Sequence, residues 1–363
     1  MRQFHAPGRV NLIGDHIDYM GGTVLPMAID RGTDLWVEAR SDRRIVAVSD
    51  NFSEVGEVVA DIDAQQARPE WEWVNYLVGV AYAFRARGVE LPGVDVRVRG
   101  NIPNGAGLSS SASLELAMAV AFDALVGAGS TAAELALVGQ SAENDFIGVA
   151  CGIMDQLCIA GGVAGHALLI DCGALGVTPV RFPCEIAVVV ANTNQRRELS
   201  DSAYNERRSA CETAQEMLGV RLVDIPADQV SAAIVDLPES LRPRARHVIT
   251  EQARVWSFAD ALQQGDLVAA GNLMRASHES LRDDFEVTGP ALDTMVEAAW
   301  EAPGVIGARM TGAGFGGCTV NLVEPDAVDA FTQQVGDVYR RSTGLPADFY
   351  VVSSADGARE VMS

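Results

Sequence analysis

Ile102-Pro-Asn-Gly-Ala-Gly-Leu-Ser-Ser-Ser-Ala-Ser113 is the stretch that decides how the chain is read. It follows a strictly alternating run, Gly93-Val-Asp-Val-Arg-Val-Arg99, and opens an apolar segment at 114–126. Period-two alternation predicts a half-buried strand, and the apolar segment predicts a helix. The turn between them reads as an anion cradle. Gly105 and Gly107 allow a tight turn and close approach to a ligand, while residues 109–113 place N–H groups and hydroxyls at the positive end of a helix dipole.

Working outward, 363 residues exceed one typical domain of roughly 100–200 residues, which predicts two domains and a large core. The net charge of −22 argues against a nucleic-acid partner, so an anionic ligand must be held by local features. No uncharged apolar span reaches the roughly 18 residues of a membrane helix, and Met1-Arg-Gln-Phe-His-Ala-Pro-Gly carries no apolar signal core. A cytoplasmic protein without membrane partners is expected. The chain has no lysine, so all 27 basic residues are arginine. That excludes a Walker-type phosphate loop, the strand lysine of protein kinases and Schiff-base chemistry. Six scattered cysteines without a C-x-x-C pair read as reduced thiols, and five histidines lack zinc-ligand spacing.

Toward the N-terminus, Ala6-Pro-Gly-Arg-Val-Asn-Leu-Ile-Gly-Asp-His-Ile-Asp-Tyr-Met-Gly-Gly22 crowds Arg9, Asp15, His16 and Asp18 among glycines and apolar residues. Such charges fit a ligand site, although acids also cap turns and Arg9 could simply pair with one of them. Strands are predicted at 33–39 and 45–48, and a helix at 71–84 whose aromatics read as core. Beyond the cradle, a helix is predicted at 132–146 with Glu143 near its end. Cys151-Gly-Ile-Met-Asp-Gln-Leu157 then sets a single acid, Asp155, in an apolar run, and such an acid needs a partner or a task. Strands follow at 166–171 and 186–191, with a domain crossing near 181–184. In the helix that comes next, Arg196 and Tyr204 can face a polar ligand, while Arg207 and Arg208 read as surface decoration. Residues 212–300 read as helical. Strands at 305–310, 318–323 and 347–352 and a helix at 327–340 predict a compact α+β domain with an antiparallel sheet. Thr311-Gly-Ala-Gly-Phe-Gly-Gly317 is followed by a strand rather than a helix, which disfavours a dinucleotide fingerprint.

Three ordered stretches together carry a resemblance: Gly8-Arg-Val-Asn-Leu-Ile-Gly-Asp-His-Ile-Asp-Tyr19, Pro103-Asn-Gly-Ala-Gly-Leu-Ser-Ser-Ser-Ala-Ser113 and Met310-Thr-Gly-Ala-Gly-Phe-Gly-Gly317. They resemble the three signature motifs of the GHMP small-molecule kinases, the first looking like the galactose-phosphorylating branch. Cys151-Gly-Ile-Met-Asp-Gln156, Ser202-Ala-Tyr-Asn-Glu-Arg-Arg208 and Ser277-His-Glu-Ser-Leu-Arg-Asp-Asp284 extend it over nearly the whole chain. The resemblance implies a two-domain α+β GHMP kinase fold. A mixed-sheet N-terminal domain at 1–181 and a ferredoxin-like C-terminal domain at 182–363 would hold the active site in the cleft between them.

The implied reaction is ATP-dependent phosphorylation of the C1 hydroxyl of galactose by a monomer. By position, Asp155 and Arg9 match the catalytic pair, and Asp15, His16, Asp18, Gly152 and Tyr204 match sugar contacts. Gly105, Ala106, Gly107, Leu108, Ser109, Ser110 and Ser111 match the nucleotide cradle, and Ser111 with Glu143 the Mg²⁺ ligands. That branch usually carries Glu where this chain has Asp15, and Thr and Asn at Ile17 and Met20. Ile17 is similar to the N-acetylgalactosamine branch, so N-acetylgalactosamine, galacturonate and arabinose stand as alternative substrates, and a non-catalytic sugar and ATP sensor as an alternative class.

Overall fold

The structure, a computed structural model, describes residues 1–103, 107–195 and 200–361, with residues 200–202 described by backbone alone. The first sheet is built from β1 (Arg2–Ile13), β2 (Thr23–Arg40), β3 (Arg44–Ser49), β4 (Val58–Asp61) and β5 (Gly93–Gly100). It is completed by β6 (His166–Asp171), β7 (Gly176–Arg181) and a final strand from the end of the chain. Between these strands come α1 (Val74–Ala86), α2 (Ser110–Val126), α3 (Ala132–Ser141) and α4 (Met154–Gly161). The strand β8 (Ala187–Asn192) starts the second sheet, and α5 (Ser200–Leu218), α6 (Val230–Ala233), α7 (Arg242–Gln264), α8 (Leu267–Ser280) and α9 (Pro290–Trp300) follow. β9 (Val305–Thr311), β10 (Cys318–Val323), α10 (Val328–Thr343) and β11 (Asp348–Val352) complete that sheet, and β12 (Arg359–Val361) returns to the first.

The first sheet runs β12-β1-β2-β5-β3-β4, with β6 on β2 and β7 on β6. It is mixed, because β3 and β5 run parallel while the other pairs are antiparallel. The second sheet, β11-β8-β10-β9, is antiparallel throughout. Along β8 the side chains alternate between two cores: Val188 and Val190 face one cluster, Val189 and Ala191 the other. The larger cluster also takes in Val10, Leu12 and Leu25 of the first sheet, Cys158 of α4 and Phe258 of α7, so one apolar interior joins the two halves. A strand buried on both faces reads as a continuous apolar run, which is what 186–191 is.

Three local readings are corrected. The strand at 33–39 is the end of β2, an 18-residue strand whose first residues pair with β6 and whose last eight pair with β5. The helix foreseen from residue 71 begins at Val74, after a 3-10 turn at Pro69–Trp71 that exploits proline at the first helical position. The helix foreseen at 132–146 ends at Ser141 and continues as a π-helical turn, Ala142–Ile147, a widened geometry that periodicity cannot reveal. Glu143 lies on that turn.

Two irregularities in β1 prepare the site. Its register against β2 slips between Pro7 and Gly8 and again between Asn11 and Ile13, and such bulges re-aim the side chains beside them. Gly8 also lets the cradle come close: a Cβ there would stand 2.7 Å from the Leu108 carbonyl.

Candidate active site

A cavity of about 410 Å³ opens where the β1–β2 connection, the cradle, the start of α4, α5 and the third glycine-rich turn converge. Arg9, Asp15, His16, Asp18, Gly152, Asp155 and Tyr204 line it, as do residues 107–111. Gly105, Ala106 and Arg196 lie outside the described residues. Residues separated by some 200 positions therefore meet on one surface, with Gly312 and Ala313 added from the third motif.

At its centre, Arg9 grips Asp155 with both arms of its guanidinium. Nε donates to Oδ1 at 2.7 Å and Nη2 to Oδ2 at 2.6 Å, the bidentate geometry that fixes a carboxylate most firmly. Nη1 donates to the Gly107 carbonyl at 2.6 Å, and the Arg9 backbone N–H to the Leu108 carbonyl at 3.2 Å. The first motif and the cradle are thus tied together. Ser109 donates its hydroxyl to Asp155 Oδ2 at 2.5 Å.

The sugar-motif residues divide into two groups. Asp18 faces the cavity against Gly152, where any Cβ would fall 1.8 Å from Asp18 Oδ2, so a larger residue there would force the Asp18 carboxylate to move. Burial raises the Asp18 carboxyl to about 6, and the charge of Asp155 adds to the rise. His16, with φ 66°, sets Nδ1 against the Tyr19 hydroxyl at 3.2 Å and Nε2 against the Ala313 carbonyl at 3.1 Å. Burial pushes it down to about 4, so it is neutral near pH 7, and its ring packs on Tyr204 and Phe285. Asp15 instead turns inward. Its Oδ2 pairs with Arg309 Nη1 at 2.6 Å and its Oδ1 accepts from the Gly312 N–H at 2.9 Å.

Sequence reasoning missed Arg309, which is fully buried on β9. The signal was present, since Arg309 is the one charge in Val305-Ile-Gly-Ala-Arg-Met310, as Asp155 is in its own run. Behind it, Glu251 is fully buried and pairs with Arg254 at 2.6 Å. Burial alone would raise that carboxyl, but Arg254, His247 and Arg309 outweigh it and hold it at about 2. Ile17 and Met20 both point into the core, away from the cavity. Arg207 and Arg208 are more than decoration. Arg207 Nε donates to the Phe285 carbonyl at 2.7 Å, and Arg208 lies over the Tyr19 ring.

Glu143 is buried and accepts from Gln156 Nε2 at 3.3 Å. Fully buried Glu115 stands nearby, its carboxyl raised well above the usual range by burial and then by the charge of Glu143. Glu143 also acts on Cys151 of the first cavity and Tyr76 of a second, smaller one. This second cavity, about 230 Å³, shares Ser110 and Ser111 with the first and is walled by Phe52, Trp73 and Tyr76. Trp73 and Tyr76 pack against the core, as their pattern predicts, and also border this cavity. The Trp73 Nε1–H is buried and without a hydrogen-bond partner among the described residues.

The fold and the converging loops define a small-molecule kinase of the GHMP class. Residues 75–162 match the GHMP kinases N terminal domain, 258–341 the GHMP kinases C terminal domain, and 2–38 the galactokinase galactose-binding signature. Galactokinase of Bacillus subtilis (strain 168) is 46% identical over 99% of this chain and 95% of its own length. That of Chloroflexus aurantiacus is 48% identical over 97% and 91%. The crystal structure of Lactococcus lactis galactokinase complexed with galactose superposes with a TM-score of 0.96 at 39% identity, covering 99% of this chain and 95% of that one. Methanococcus jannaschii mevalonate kinase, at 17% identity and a TM-score of 0.66, shares the fold. Within the GHMP kinases, the chain belongs to the galactokinase family.

Proposed function

We propose that the protein transfers the γ-phosphoryl group of ATP to the C1 hydroxyl of galactose, giving galactose 1-phosphate and ADP. The observation that carries this reading is the bidentate Arg9–Asp155 pair, set in one cavity with both the sugar-motif residues and the cradle. Phosphoryl transfer needs positioning and charge neutralisation more than covalent help. Asp18, His16, Gly152 and Tyr204 orient the sugar, and Asp155 accepts the proton of the hydroxyl as its oxygen attacks phosphorus and the bond to ADP breaks. Arg9 holds Asp155 in place and offsets charge on the transferring group. Backbone N–H groups of residues 107–111 cradle the phosphates, with Gly105 and Ala106 assigned the same role from the motif. The nucleotide base takes the second cavity, stacked on its aromatic wall, where Trp73 Nε1–H awaits a partner.

Mg²⁺ belongs to the same proposal. A hydroxyl and a carboxylate, Ser111 and Glu143, fit a hard cation that takes one or two protein oxygens and fills the rest with phosphates and water. Glu143 is buried beside fully buried Glu115, whose carboxyl is raised by burial and then by the Glu143 charge, and this excess of acid favours a positive guest. When bound, the ion supplies neutralisation of phosphate charge. We divide the chain at 181/182, so that the cleft lies between the two parts. We take it to work as a monomer in the cytoplasm. No helix of the described residues is long and apolar enough to cross a membrane.

The test is ADP release with ATP and Mg²⁺ over galactose, glucose, N-acetylgalactosamine, galacturonate and arabinose. Galactose is expected to be preferred, and preference for another sugar overturns that assignment. Asp155→Asn is expected to lower turnover by roughly two orders of magnitude or more with nucleotide binding nearly intact. Near-normal turnover removes the base assignment.

A further inference from the structure

Ser109 occupies the N-cap position of α2, where a serine ordinarily turns its hydroxyl onto the N–H groups of the first helical turn and contributes about 1 kcal/mol. It does not. No cap hydrogen bond forms from its side chain, and its backbone is left-handed, φ 61° and ψ 51°, a region that disfavours residues with a Cβ. Both departures cost stability, and both serve one contact, the hydroxyl donated to Asp155 Oδ2. The flanking backbone is held for the same purpose, with the Gly107 and Leu108 carbonyls bonded to Arg9 and the Ser109 carbonyl accepting from the Ser113 N–H at 2.9 Å.

We propose that Ser109 is a positioning residue for Asp155, its hydroxyl committed to the acid and not to phosphate, and that Asp155 Oδ1 is the oxygen that takes the sugar proton. The inference rests on Asp155 as the proton acceptor. Oδ2 already receives Arg9 Nη2 and the Ser109 hydroxyl, while Oδ1 receives Arg9 Nε alone and keeps room for one more donor. Two anchors on one oxygen and one on the other fix the rotation of the carboxyl about its Cβ–Cγ bond, so the free lone pair has a set direction. Because the hydroxyl does not cap the helix, the first-turn N–H groups are left for the phosphates. A single serine thereby separates the two duties of the loop: its side chain serves the sugar side and its neighbours' backbone serves the nucleotide.

Ser109→Ala and Ser109→Gly test this together, since glycine relieves the left-handed backbone while removing the same hydroxyl. Both are expected to lower kcat about ten- to a hundredfold, the worth of a hydrogen bond to a charged group, with KM for ATP and for sugar within about twofold of the parent. A raised KM for ATP at unchanged kcat overturns the proposal, because it returns the hydroxyl to the phosphates. Parental kcat in Ser109→Gly, whose backbone is unstrained, overturns it also. A double-mutant cycle then separates this inference from its premise. If Ser109 acts through Asp155, adding Ser109→Gly to Asp155→Asn slows the enzyme no further. Additive losses overturn the positioning role, whereas an active Asp155→Asn enzyme overturns the base assignment itself.

Discussion

Asp18 is a cavity residue whose titration falls between pH 5 and 7. A buried carboxyl held at about 6 is still largely protonated at pH 5 and ionised by pH 7. Since kcat/KM reports groups of the free enzyme, it should rise over that interval with a limb near 6 if the ionised form receives the sugar. Measured for galactose, the profile of Asp18→Asn should lose this limb, and a limb that persists assigns it elsewhere. The stability effect has the opposite sign. Below about pH 4 the group is protonated in both states; between about 4 and 6 the unfolded chain releases a proton that the fold retains, so stability falls as pH rises and levels off above. His16 stays neutral throughout, its ring kept at about 4. Crowded charges among glycines drew attention to Asp18 and His16 in the sequence. Ser109 was legible only as part of a cradle, because the direction of a hydroxyl depends on a backbone conformation that composition does not encode.

At the scale of elements, β9 hangs on Arg309. Its guanidinium meets Asp15 at 2.6 Å and Glu251 at 4.0 Å and donates to the Leu12 carbonyl at 3.2 Å, tying second-sheet strand, first motif and α7 into one contact. Arg309→Leu leaves buried Asp15 without its cation and Glu251 with Arg254 alone, and is expected to cost about 3–5 kcal/mol in urea unfolding. A loss below about 1 kcal/mol would mean that Asp15 and Glu251 find other partners. The same scale explains which elements could be read. The β5–cradle–α2 unit was legible because strand period, turn glycines and helix all lie in 34 consecutive residues, 93–126. β7 and β12 were not, since their reason for being strands is a partner far away in sequence: Arg359 lies opposite His5. The π-helical turn at Ala142–Ile147 continues the apolar pattern of α3, so nothing in the period marks the change.

Taken whole, the molecule is a cleft assembled from three loops on two sheets, and no single loop identifies it. Each motif is ambiguous alone; their order and separation carried the resemblance, and the packing of β9 on β1 brings them together, with the Thr311 hydroxyl donating to the Asn11 carbonyl at 2.8 Å. The position of the second cavity was out of reach of the sequence, since it depends on how α1 is rotated against the cradle. The return of β12 to the first sheet has a different kind of consequence. Gln3 lies opposite Val361 in an antiparallel pair, so the two ends of the fold are strand neighbours about 5 Å apart. The order in which the polypeptide is threaded is then separable from the shape it adopts. A circular permutant joined from 361 to 2 through a short glycine linker, and opened between Ala128 and Gly129 in the exposed α2–α3 turn, retains every strand pairing. It is expected to unfold within a few degrees of the parent and to phosphorylate the same sugar, as checked by thermal melting and ADP release.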